Sequence, residues 1–254
     1  CAGGDLKFLY QQHKNGSQAA ITMLSAEYQL NRFLDQYPKP IVVIGHGYVM
    51  GGGLGIALHG QYLLLDKAAQ CAMPEVHIGF FPDVGSRYTL GNLAHHLGWY
   101  MALTGLTVST EMMISLGLAR AKLEDGAEDF LHRLQYAPWG EKAAEDILEA
   151  LLPPVVEPSF PEWCAMWSKL CLAATQVDDL MAALQGIAQP WAEKASKAML
   201  KASPSSLNLT FALLQSPPKS LSEALEQDYQ LAQTMFSEAD FLEVCKKIDK
   251  TAEY

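Results

Sequence analysis

Glu75 and Asp83 lie in the stretch Met73-Pro74-Glu75-Val76-His77-Ile78-Gly79-Phe80-Phe81-Pro82-Asp83-Val84-Gly85, whose other residues are mostly apolar, glycine or proline. Apolar surroundings disfavour a charged carboxylate and raise its pKa toward working pH, where it can serve as base, acid or nucleophile. If the turn between Pro74 and Pro82 brings the two together, one could attack or protonate while the other orients water. The same residues also read as plain structure, with Asp83 capping a helix that starts at Val84 and Glu75 solvated. A second element of chemistry lies upstream. Breaking a thioester, or drawing an enolate from one, puts negative charge on a carbonyl oxygen, and two preorganised donors are needed to hold it. Gly52, in Gly51-Gly52-Gly53, sits where strand turns to helix, so its N–H is a candidate donor, and the missing side chains let a ligand reach the backbone. The N–H of Gly4, in Ala2-Gly3-Gly4-Asp5, is a candidate for the other. Either glycine turn, taken alone, is equally a tight turn with no further role.

Elements able to position these groups can be read from periodicity. Ile41-Val42-Val43-Ile44 and Tyr62-Leu63-Leu64-Leu65 are short β-rich runs, and Gly51 to Leu58 between them has room for about two helical turns. Ahead of them, Ala19 to Tyr37 shows helical spacing until Pro38 and Pro40 stop it, giving one helix before the first strand. After Gly91 nearly every segment reads as helix: Asn92 to Leu103, Thr110 to Leu116, Ala127 to Leu134, Glu141 to Leu151, Pro161 to Ala173, Val177 to Ala188, Ala192 to Lys201, Ser206 to Leu214, and Leu221 to Lys247 with an interruption near Ser237. The expected organisation is an α/β core over residues 1–135 and a mostly helical region over 136–254.

Bulk properties narrow the function classes. A chain of 254 residues, half of them apolar and 18% charged, can bury one large core. It has no uninterrupted apolar run long enough for a membrane span, so a soluble protein with no membrane partner is expected. A net charge of −10 without clustered Lys or Arg argues against a nucleic-acid partner. An anionic ligand would therefore be held locally, by backbone N–H groups. Five cysteines without a CxxC pair suit a reducing compartment, Cys71 reads as a buried structural thiol, and the histidines lack ligand spacing, so no metal is expected. The chain begins at Cys1 with neither Met nor a signal-peptide pattern, so preceding residues are expected.

Taken together, the residues form a recognisable set. Ile44-Gly45-His46-Gly47-Tyr48-Val49-Met50-Gly51-Gly52-Gly53-Leu54-Gly55, with the Ala-Gly-Gly-Asp turn, Ala72-Met73-Pro74-Glu75, Phe80-Phe81-Pro82-Asp83-Val84-Gly85 and Ala102-Leu103-Thr104-Gly105, resembles the crotonase (enoyl-CoA hydratase/isomerase) superfamily in order and spacing. Within it, Met-Gly-Gly-Gly, Met-Pro-Glu and Phe-Pro-Asp-Val-Gly look like the 3-hydroxyisobutyryl-CoA hydrolase branch. The resemblance implies a crotonase-like spiral of β-β-α units followed by a helical C-terminal region, together with a further segment ahead of residue 1.

It also implies roles: Gly52 and Gly4 as oxyanion donors, Glu75 as the principal catalytic carboxylate, Asp83 as its assistant on the substrate hydroxyl or the hydrolytic water, and Glu27 as a substrate contact. Glu27 reads equally as a solvated residue on a helix face. Hydratases of the superfamily carry a second catalytic Glu where this chain has Gly55, and glycine cannot transfer a proton, so thioester hydrolysis is favoured. The implied reaction is hydrolysis of a short branched or hydroxy acyl-CoA in valine catabolism, with CoA part of the substrate and no separate cofactor. The alternatives are an enoyl-CoA hydratase or isomerase, and a catalytically impaired binding or assembly module. An unpaired sheet edge would suit a homo-oligomer. The expected location is cytoplasmic for a bacterial source and the mitochondrial matrix for a eukaryotic one.

Overall fold

Two helices, α1 (Leu6–Lys14) and α2 (Ala19–Asp35), precede the first strand, where the sequence reading gives one. The computed structural model describes residues 1–16, 18–140, 143–236 and 239–251. The extra helix starts at Asp5, whose side chain accepts a hydrogen bond from the Phe8 N–H at 2.9 Å and so satisfies a donor that the helix itself leaves open.

Two β-β-α units then stack on each other. The first is β1 (Val42–Gly45), β2 (Tyr48–Met50) and α3 (Gly52–Leu58); the second is β3 (Tyr62–Asp66), β4 (Gln70–Ala72) and a 3-10 turn over Glu75–Ile78 followed by α4 (Ser86–Leu90). β1 pairs in parallel with β3 and β2 with β4, so corresponding strands of the two units fall into the same sheet. Residues Leu63, Leu64 and Leu65 of β3 are fully buried, as expected of a parallel strand covered on both faces. β5 (Ala121–Leu123) pairs with the other side of β3 and interrupts the helical series expected after Gly91. β2, β4 and β5 have three residues each, too few for a period to emerge.

The remaining helices are α5 (Leu97–Thr104), α6 (Thr110–Ser115), α7 (Gly126–Gln135), α8 (Ala144–Leu151), α9 (Trp163–Ala173), α10 (Val177–Gln185), α11 (Pro190–Lys201), α12 (Pro204–Gln215), α13 (Leu221–Met235) and α14 (Ala239–Thr251). Serine caps fix two of the starts: Ser203 and Ser220 accept from the N–H groups of Ser206 and Glu223, each at 3.2 Å. The helix expected over Asn92 to Leu103 is broken, because His95 and His96 take φ of 54° and 53° as the chain turns to bring Gly98 against Leu90. A Cβ at Gly98 would lie 1.9 Å from the Leu90 carbonyl oxygen. The expected helix start at Glu141 and interruption at Ser237 lie outside the described residues.

One apolar core runs from Leu9 of α1 through β3 and α5 to Cys245 of α14, and a smaller one joins Leu64, Ala121, Leu123, Phe130 and Leu152. α13 packs along α2, and α14 along α1 and the 3-10 turn. That last contact is close: a Cβ at Gly79, which has φ of 73°, would lie 2.4 Å from the Phe241 nitrogen. α14 therefore reaches back onto the turn that carries Glu75. Among the described residues, no helix is long and apolar enough to cross a membrane.

Candidate active site

A cavity of about 130 Å³ gathers Gly4, Glu27, Gly52, Glu75 and Asp83, the five residues singled out in the sequence. Leu6, Leu9, Met23, Ile78, Phe80, Phe236 and Phe241 form its apolar side. Phe80 stacks on Phe236 at a centroid distance of 5.7 Å and tilts against Phe241 at 5.6 Å, so the helical C-terminal region supplies much of this wall.

The glycine turns meet under the carboxylates. β2 delivers the chain into Gly51 at φ 54° and ψ −133°, a conformation that glycine alone adopts without strain. A Cβ there would lie 3.0 Å from Glu75 Oε1 and 3.6 Å from the Gly3 Cα. At Gly52 it would lie 2.7 Å from Glu27 Oε1. The Gly51 N–H bonds to the Ala72 carbonyl at 3.1 Å, whereas Gly52 opens α3, where no intrahelical carbonyl precedes it.

The carboxylates are neither solvated nor caps. Glu75 is 5% exposed, its Oε2 lacks a hydrogen-bond partner among the described residues, and burial pushes its pKa up to about 8. Asp83 is also buried; burial foremost, then the charge of Glu75, holds its carboxyl well above the usual range, against the opposing hydrogen bond from Tyr28. The cap of α4 is Gly85, not Asp83, because the chain makes a left-handed turn through Val84 and Gly85 before the helix begins. Glu27 is half-buried, and burial raises its pKa as well.

Sequence reasoning missed the groups behind these acids. The Tyr28 hydroxyl donates to Asp83 Oδ2 at 2.5 Å. Tyr28→Phe should remove on the order of 1 kcal/mol of stability and leave Asp83 to ionise at still higher pH, which urea unfolding across a pH series would read. Its adjacency to Glu27 on α2 was visible; its contact with a residue 55 positions away was not.

The profile of the enoyl-CoA hydratase/isomerase family matches residues 1–253. The chain belongs to that family. Its curated relatives include the mitochondrial 3-hydroxyisobutyryl-CoA hydrolases of Rattus norvegicus, 32% identical, and Homo sapiens, 31% identical, each alignment covering 96% of this chain. The chain spans 65% of the length of each. Among solved structures it resembles a carnitinyl-CoA dehydratase from Mycobacterium thermoresistibile, with a TM-score of 0.86, 31% identity and coverage of 97% of this chain and 72% of that one. An enoyl-CoA hydratase from Rhodobacter sphaeroides gives a TM-score of 0.82 at 29% identity, covering 99% and 73%. The crotonase-like spiral expected from the motifs is thus the fold of this chain.

Within this crotonase family fold, Gly55 has a second meaning. A Cβ there would lie 2.2 Å from Val84 Cγ2, so the position is the seat of the Val84 side chain. A larger groove of about 700 Å³ lies away from the site, between α6, β5 and residues 153–161. Its cations are already engaged, Arg120 with Glu149 and Lys122 with Glu111 and Glu124, and among the described residues no glycine lines it. The smaller cavity is the one that gathers the buried acids and the glycine turns.

Proposed function

We propose that the protein hydrolyses a short branched or hydroxylated acyl-CoA thioester, with 3-hydroxyisobutyryl-CoA the foremost candidate. The observation that carries this reading is the single cavity in which Gly4 and Gly52 backbone, Glu75 and Asp83 converge, while Val84 occupies the space a second Glu at residue 55 would need. Its volume of about 130 Å³ is slightly below the roughly 150 Å³ that holds a benzene ring, so an acyl group of about six heavy atoms fills it. The similarity to named 3-hydroxyisobutyryl-CoA hydrolases supports the same substrate class.

The reaction adds water to a thioester and releases a carboxylate, a thiol and a proton. In the proposed arrangement the thioester oxygen accepts hydrogen bonds from the Gly4 and Gly52 N–H groups, which gain strength as charge develops on it. Ionised Glu75 then attacks the carbonyl carbon, expelling the CoA thiolate and leaving an anhydride that water cleaves, or it takes the proton from water as water attacks. Either route restores the Glu75 carboxylate. Asp83 orients that water or the substrate hydroxyl, and Glu27 contacts the substrate from α2. CoA leaves as product, and no separate cofactor enters the scheme.

Hydration or dehydration is the second reading, favoured by the similarity to the carnitinyl-CoA dehydratase and the enoyl-CoA hydratase. A panel of acyl-CoA esters separates the two. Thiol release, fastest with small hydroxy or branched acyl groups, is expected. Loss of the enoyl-thioester absorbance of crotonyl-CoA without free thiol would overturn the hydrolase reading, and CoA binding with neither reaction would mark a non-catalytic module.

A further inference from the structure

Asp83 enters the cavity from a strained turn. Val84 has φ of 54° and Gly85 of 76°, two left-handed residues in succession. For a β-branched residue that conformation is strained and persists only where its surroundings over-determine it. Here His59 Nε2 lies 3.0 Å from the Val84 carbonyl oxygen, and the Gly85 N–H donates to Asp228 Oδ2 at 2.8 Å.

Asp228 comes from α13, 143 residues further along the chain, and does not line the cavity. Its other oxygen is gripped by Arg87, whose Nε donates to Oδ1 at 2.8 Å while Nη2 lies 2.8 Å from the same oxygen and donates to Gln227 Oε1 at 3.1 Å. The Asp228 and Arg87 side chains are 0% and 1% exposed. A pair so buried is a poor source of net stability, because desolvation offsets the attraction. What it does supply is a fixed acceptor for the Gly85 N–H at the point where the chain must stay left-handed.

We propose that Asp228 is a positioning residue: held by Arg87, it fixes the Gly85 N–H, maintains the left-handed Val84-Gly85 turn and so sets where the Asp83 carboxyl points in the cavity. The part assigned to Asp83 in the reaction rests on the hydrolase reading; the clamp itself does not. α13 thereby ties the helical C-terminal region to the chemistry as well as to the core.

The test combines thiol-release kinetics with the NMR signals of the Val84 methyl groups. In Asp228→Ala, kcat should fall roughly tenfold to a hundredfold with KM within about twofold, and the Val84 methyl signals should move. Asp228→Asn offers one accepting oxygen where the clamp uses two, so it should recover only part of both. In an Asp83→Asn background, Asp228→Ala should add no further loss, because it acts through Asp83. Additive losses, or Val84 signals unchanged in Asp228→Ala, would overturn the proposal. If the unaltered protein releases no thiol, the hydrolase reading fails by itself, and the Val84 signals across the two variants still decide whether Asp228 holds the turn. Should Asp228→Ala not fold, Arg87→Lys, which loosens the grip without unpairing the charge, takes its place with the same expectations.

Discussion

Glu75→Gln should reduce thiol release by roughly 10³-fold or more while leaving the fold intact. Gln has nearly the same shape, so the contacts of this buried side chain with the cavity survive and only its ability to ionise is lost. The pH dependence strengthens the test. Burial raises the Glu75 pKa from an ordinary 4.5 to about 8, so the free protein at neutral pH holds this proton and the reactive carboxylate is the minor form. kcat/KM should therefore rise with pH through about 8. Stability should run the other way. Between the two pKa values the folded state binds a proton that the unfolded state releases, so Glu75's contribution is fully present below pH 4.5 and is lost as pH rises to about 8. Asp83, also raised, adds to the same descent. Urea unfolding at a series of pH values should show the descent in the unaltered protein and a shallower one in Glu75→Gln. Equal activity in the two proteins would end Glu75's assigned role, and equal pH slopes would end the account of its burial.

The stretch from Gly51 to Asp83 was legible in sequence because its chemistry is local. Glycines mark where backbone must approach a ligand, and acids among apolar residues mark raised pKa values. α2 was legible because it is long enough to show a period, and β1 and β3 because each is a run of apolar residues bounded by turn residues. The short strands β2, β4 and β5 were not, and α1 was passed over although Asp5 ahead of Leu6-Lys7-Phe8-Leu9 is an ordinary helix start. What lay beyond reach was the support. Nothing in the residue type of Val84 announces a left-handed backbone, since valine avoids it, and nothing in Tyr28, His59 or Asp228 announces contact with the Asp83 turn. These are contacts of the folded chain, made across separations of up to 143 residues. The aromatic wall of Phe236 and Phe241 is hidden for the same reason.

Gly55→Glu, which restores the acid carried there by hydratases of the family, should damage the site rather than convert it. From sequence, Gly55 reads as a missing proton donor. In the structure it is also an occupied space, since its Cβ would lie 2.2 Å from Val84 Cγ2 and 2.8 Å from Val84 Cβ. Relief requires Val84 to withdraw, but its backbone is pinned by His59 on its carbonyl and by the Asp228 bond to the next N–H. Forced insertion of a side chain and a carboxylate into this buried contact should lower the unfolding free energy by about 3 kcal/mol or more. If the chain still folds, Asp83 moves with Val84, and a displacement of about 1 Å is enough to slow thiol release roughly a hundredfold. The crotonyl-CoA absorbance should stay constant, because a new acid without an aligned partner does not complete an acid and base pair. Calorimetric unfolding together with the two optical assays reads all three effects. A variant as stable as the parent that hydrates crotonyl-CoA would show that Val84 yields freely, and would remove the steric argument separating this chain from the hydratases it resembles. The milder Gly55→Ala places only the Cβ in the contact, so its effect should fall between the parent and Glu if the Val84 seat, rather than the introduced charge, is what matters.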